Sequence, residues 1–141
     1  MTKDTFYRAF THDLRLAKKS VLIESPFITA GRVRKLLPLL KILRSQGVQI
    51  VINTRDPQDH EGSYRQQAVE AVAQFHALDI VVLHTAGHHR KLAIIDNKTI
   101  WEGSLNILSF NDSCEIMRRI VSRDEAKILT NFIKLNEFLG A

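Results

Sequence analysis

Three short apolar runs, residues 20–25 (SVLIES), 48–54 (VQIVINT) and 79–84 (DIVVLH), are separated by stretches whose apolar residues recur at helical spacing. Strand, helix, strand, helix, strand at this spacing builds parallel strands joined by right-handed crossovers, with helices laid on the sheet. The first helix is expected over 4–18, with Phe6, Phe10, Leu14 and Ala17 on one side and Asp4 as its N-cap. The second runs over 29–47, with Val33, Leu36, Leu37, Leu40 and Leu43 inward and Gly47 as terminator. Pro38 lies inside it and is expected to kink or restart it, because proline removes a donor and clashes backwards. Residues 55–62 read as a polar loop and 63–77 as a third helix.

Beyond residue 84 the rhythm changes. Runs at 90–96, 98–103 and 114–121 are strands without helices between them, and a two-residue hairpin turn is expected at Asp96-Asn97. Residues 123–139 close the chain as a helix. The expected fold is therefore α/β, with a mixed, mainly parallel β-sheet flanked by helices on both faces. Residues 1–141 read as a single domain, either stand-alone or cut from a larger intracellular protein.

Composition narrows the setting. The hydrophobic fraction of 45% is that of a globular chain, and no apolar run approaches the length of a membrane span. One cysteine, Cys114, excludes an intramolecular disulfide and fits a reducing, cytoplasmic setting. Twenty Lys+Arg against 15 Asp+Glu give a net charge of +5, compatible with a polyanionic partner. His84 and His88 lie near His89, yet no carboxylate or cysteine stands at ligand spacing, so no metal site is expected. Arg118 and Arg119 should point to opposite faces of their strand, and Trp101 should pack in the core.

Chemistry concentrates in "HHRKLAIIDNKTIWEGSLN", residues 88–106. In an extended strand, His89 and Lys91 share a face and stand roughly 7 Å apart, at about 3.3 Å rise per residue. An imidazole and an ammonium at that separation reach one phosphate together, the first at phosphorus and the second at a non-bridging oxygen. Past the hairpin, Gly103 lets backbone approach an anion, and Ser104 and Asn106 offer short neutral donors. Arg55, just after the second strand, lies where parallel sheets meet ligands, and either grips phosphate or is an ordinary solvated arginine.

His89-x-Lys91-x4-Asp96, then Gly103-Ser104-x-Asn106 and Glu115, resembles the signature of the phospholipase D superfamily. The six fixed positions from His89 to Asn106 match by accident on the order of 10⁻⁸ per starting point. The resemblance implies a metal-independent phosphodiesterase with no cofactor. His89 would attack phosphorus to give a phosphohistidine, and a histidine from a second motif would protonate the leaving oxygen. Lys91 and Asn106, with Ser104, would hold the phosphoryl oxygens, and Glu115 would fix the tautomer of His89. Asp96 belongs to the pattern but falls on the opposite strand face beside the turn, and reads as structural.

The family works with two such motifs, and this chain carries one. A homodimer is the simpler way to supply the second; another polypeptide is the alternative. The opening, "FYRAFTHDLRLAKKSVLIESPFIT", resembles nuclease-type domains of this superfamily attached to helicase or restriction-type proteins. The expected substrate is nucleic acid, DNA ahead of RNA, with no membrane partner. Two alternatives stand beside it: a phospholipid hydrolase of the cardiolipin type, and an inactive nucleic-acid-binding or dimerisation module.

Overall fold

The computed structural model describes residues 3–84, 90–104, 106–109 and 116–133. Within them the order is α1 (Lys3–Arg15), β1 (Ser20–Glu24), α2 (Ala30–Ser45), β2 (Gln49–Thr54), α3 (Gly62–Ala77) and β3 (Val81–His84). Then come β4 (Leu92–Ile95), β5 (Thr99–Gly103), β6 (Met117–Val121) and α4 (Arg123–Ile133). One six-stranded sheet has the order β3-β2-β1-β4-β5-β6. Its β1–β2 and β2–β3 ladders are parallel, while β1–β4, β4–β5 and β5–β6 are antiparallel. The sheet is mixed, as expected, but two parallel ladders against three antiparallel ones correct the expectation that it is mainly parallel. The reason is that β4 enters beside β1 in the opposite direction, a short hairpin loop turns β5 back against β4, and β6 pairs antiparallel with β5.

Helices cover both faces unequally. Phe6, Phe10, Leu14, Val33, Leu36, Leu40, Leu43 and Phe75 bury against Val21, Ile23, Ile50, Ile52, Ala93, Ile95 and Trp101, so α1, α2 and α3 share one face. On the other face Ala126 of α4 joins Leu22, Val51, Leu92, Ile94 and Ile100. Period-2 alternation along β1, β2 and β4 divides the two cores, and each fully buried Leu, Ile or Phe contributes about 1.5–3 kcal/mol. Trp101 is buried, as expected. It meets Phe6 edge-on at 5.3 Å, and its indole N–H donates to Asp13 at 2.8 Å.

Several local expectations need correction. α1 begins at Lys3, one residue before the expected cap at Asp4. α2 runs through Pro38 as one helix rather than restarting. Pro38 and Arg34, the residue whose carbonyl loses its usual donor, are both exposed, so the missing bond lies on the solvent side of the helix. Residues 55–62 are not all loop: Pro57–Asp59 form a 3₁₀ turn capped by Asp56, whose carboxylate accepts from the Gln58 N–H at 2.9 Å. The β4–β5 hairpin has left-handed residues at Asp96 and Asn97, as a tight turn requires. Its register pairs Ile95 with Thr99, so Lys98 is a third loop residue beyond the two expected.

Candidate active site

Because β4 runs opposite to β1, its first residues lie beside the last residues of β1; Leu92 pairs with Glu24. β5 ends at the same edge, where the Gly103 N–H donates to the Lys91 carbonyl at 3.2 Å. Two motif segments 12 residues apart are thereby placed side by side at one end of the sheet. His89 and Glu115, like His88 and Cys114, lie outside the described residues.

Lys91 is half-buried at the mouth of β4. Ser104 is tied to the main chain opposite: its hydroxyl accepts from the Ile116 N–H at 3.0 Å, and its own N–H donates to the Ile116 carbonyl at 2.9 Å. Gly103 has a steric duty besides any anion contact. A Cβ there would overlap the Ile116 carbonyl oxygen and come within 2.8 Å of the Met117 sulfur. A side chain at 103 would therefore push β6 off β5. Asn106 is buried, and its Oδ1 has no hydrogen-bond partner among the described residues. Buried amide oxygens are nearly always satisfied, so this one is poised for a donor that arrives with a ligand or a motif neighbour.

The segment carrying Asn106 is latched from three sides. The Tyr7 hydroxyl donates to the Ile107 carbonyl at 2.6 Å, and burial pushes its pKa up to about 12 against the opposing pull of Arg32. Tyr7 is thus a neutral, permanent donor. The Leu108 N–H donates to Ser25 Oγ at 3.2 Å, and the Thr29 N–H donates to the Leu108 carbonyl at 2.8 Å. Nothing in the spacing of Tyr7 or Ser25 marks them in the sequence. Only the return of the chain over α1 brings them to the site.

A buried acid is the other unforeseen feature. Glu24, fully buried, accepts from Arg90 Nε at 2.8 Å and Nη2 at 3.0 Å, and from the Asn53 amide at 2.8 Å. The hydrogen bond that Arg90 donates to Glu24 raises the Arg90 pKa further, so its charge is permanent. One signal was present: a glutamate closing the otherwise apolar run SVLIES has to find a cation or lose its charge.

Arg55 follows β2 at the same sheet end, two residues past Asn53, with its guanidinium 5.8 Å from the Phe27 ring and a buried Nε that lacks a hydrogen-bond partner among the described residues. Arg118 and Arg119 diverge as expected, the first to Glu102 at 2.8 Å and the second to Asp13 at 2.7 Å. Asp96 is remote from Lys91, at the far end of β4. Its carboxylate accepts from the backbone N–H groups of Lys18, Lys19 and Ser20 at 2.7–3.1 Å.

The sequence matches the family described as "Cardiolipin synthase, PLD-like domain" over residues 10–135. The chain belongs to that phospholipase D-like family. Among solved structures, this phospholipase D-like chain is similar to Nuc from Salmonella typhimurium, a phospholipase D family member. The identity is 19% and the TM-score 0.73, covering 90% of this chain and 84% of that one. NucT from Helicobacter pylori matches at 20% identity and a TM-score of 0.67, over 94% and 87% of the two chains. TrmBL2, described as an archaeal chromatin protein with a novel mode of DNA binding, matches at 12% and 0.62, over 93% of this chain and 47% of its own. At these identities the likeness establishes the shared fold. No curated protein sequence matches the chain. Among the described residues, no helix is long and apolar enough to cross a membrane.

Proposed function

We propose that this phospholipase D-like protein is a metal-independent nuclease that cuts phosphodiester bonds through a phosphohistidine on His89, with DNA ahead of RNA as substrate. The observation that carries the reading is the placement of Lys91 against Gly103-Ser104 at one sheet end, with buried Asn106, whose amide N–H groups are the donors suited to a phosphoryl oxygen, two residues further on. An ammonium and an amide held there stabilise charge on phosphoryl oxygens. His89, two residues before Lys91, forms the N–P bond as the P–O bond to the leaving strand breaks, and a second histidine protonates that oxygen. Water, deprotonated by the same histidine, then cleaves N–P and frees the phosphate. Glu115 orients His89, and Arg55 is a candidate for a more distant phosphate. The second histidine comes from another copy of the motif, most simply in a homodimer, and association with a helicase or restriction-type protein fits the opening segment.

Nucleic acid is favoured by the net charge of +5, and by the likeness to TrmBL2, described as binding DNA. The family description favours a second substrate, a cardiolipin-type lipid. The deciding experiment is cleavage of single- and double-stranded DNA and RNA, and of cardiolipin vesicles, in excess EDTA. Wild type should cut nucleic acid. His89→Ala should lose on the order of 10³-fold or more, and Lys91→Ala on the order of 10²–10³-fold. Cutting only of the lipid would transfer the reading to the second substrate. Cutting that survives His89→Ala would sink the proposed nucleophile.

A further inference from the structure

Beside the phosphate-binding residues lies a cleft of about 660 Å³, within the range of small-molecule sites. Lys91, Gly103, Ser104, Arg90 and Ile116 line it together with Phe132 of α4. Phe132 is 70% exposed and Ile116 78%. A large aromatic ring left in water beside a catalytic motif calls for an occupant.

The ring is not loose. The Arg90 guanidinium lies 5.9 Å from its centroid, within cation–π range. Arg90 is in turn held by both oxygens of buried Glu24, which Asn53 braces from β2. Alternation along β4 puts Arg90 with Leu92 and Ile94 on the α4 face, next to Lys91 at the strand's end. A phosphate at Lys91 therefore has, on its α4 side, a cation and a flat apolar surface. An apolar protein partner would match the ring but would take the exposed part of Arg90, 42% of its side chain, out of water with no new hydrogen-bond acceptor. A nucleotide satisfies both, giving a base to the ring and phosphate oxygens to the cations.

We infer that Phe132, braced by Arg90, stacks an unpaired base of a single-stranded nucleic acid whose neighbouring phosphate sits at Lys91. The inference rests on the nuclease reading above and names its substrate form. In a duplex both faces of each base are already stacked, so the platform selects strands whose bases are free.

The test compares binding of an oligothymidylate with binding of an abasic strand of equal length, which keeps the phosphates and lacks the bases. Wild type should favour the base-bearing strand by roughly 5- to 150-fold, the range expected for one stacked base. Phe132→Ala should erase that preference, and Phe132→Trp should keep it. Trp101 is the chain's only tryptophan and is buried, so Phe132→Trp adds a solvent-facing reporter whose emission oligothymidylate should quench and the abasic strand should not. Equal wild-type affinity for the two strands would overturn the inference while leaving nuclease activity intact. So would a Phe132→Ala variant that weakens both strands alike, or one whose mass in solution changes, since a second copy would then be the occupant. Failure of wild type to bind or cut any nucleic acid would remove the nuclease reading, and this inference with it.

Discussion

Asp96 does two things that a short acidic side chain combines. It takes the left-handed backbone of the hairpin, φ 56°, and its carboxylate collects three N–H groups of the α1–β1 connection. A position in the family signature is thus explained by chain geometry at the sheet end remote from Lys91. Removing the carboxylate leaves those donors to water or unpaired, and alanine also resists the positive φ. Asp96→Ala should cost about 2–3 kcal/mol in chemical denaturation, and Asp96→Asn about half of that. A loss under about 0.5 kcal/mol, the range of ordinary surface changes, would show that the carboxylate carries little of the fold. That Asp96 is structural was legible from alternation alone, since it falls on the opposite face from Lys91. Its partners were not, because residues 18–20 approach it only once β1 and β4 have paired.

Among the elements, the three parallel strands, their crossover helices and the hairpin could all be read from periodicity and turn residues. What periodicity cannot report is which strand neighbours which. Nothing in "KLAIID" says that it lies beside β1, and that single choice sets the balance of parallel and antiparallel ladders. It also delivers Arg90 to Glu24. The 3₁₀ turn Pro57–Asp59 was hidden for a different reason, since its polar composition is that of a loop. Next to that turn, His60 is 5% exposed, with its ring 5.2 Å from that of Phe27. Burial first, and then the charge of Arg55, lower its pKa, against smaller upward pulls from Asp59 and the Pro26 backbone. The unfolded chain therefore takes up this proton first as pH falls below about 6.5. Stability should decline from about pH 6.5 down to the folded-state pKa, by at most about 1.4 kcal/mol per pH unit from this group. His60→Phe should remove that slope relative to wild type in denaturation series between pH 7.5 and 5. Parallel curves for the two proteins would show that His60 does not titrate differently on folding.

At the scale of the whole molecule, the proposed activity needs a second motif beside the one in these 141 residues, and the proposed source is a second copy of the chain. Light scattering should give the mass of a dimer, and the pH–rate profile should be bell-shaped, because one histidine must be neutral while its partner is protonated. A fully active monomer would reject the shared site. So would a rate flat across the neutral range.

The sheet order carries one more consequence. Among the described strands, β1 alone has a parallel neighbour on one side and an antiparallel neighbour on the other, so the β1–β4 ladder is a seam between two halves. On one side lie the β-α-β crossovers, and on the other a meander whose paired residues are at most 22 positions apart. The meander can assemble from near neighbours in sequence, whereas the seam joins residues 68–74 positions apart and bears the larger loop-closure entropy. Local order in each half thus comes cheaply and their union comes late. Arg90 finds Glu24 across that seam, so the motif strand gains its anchor only as the two halves become one cooperative unit.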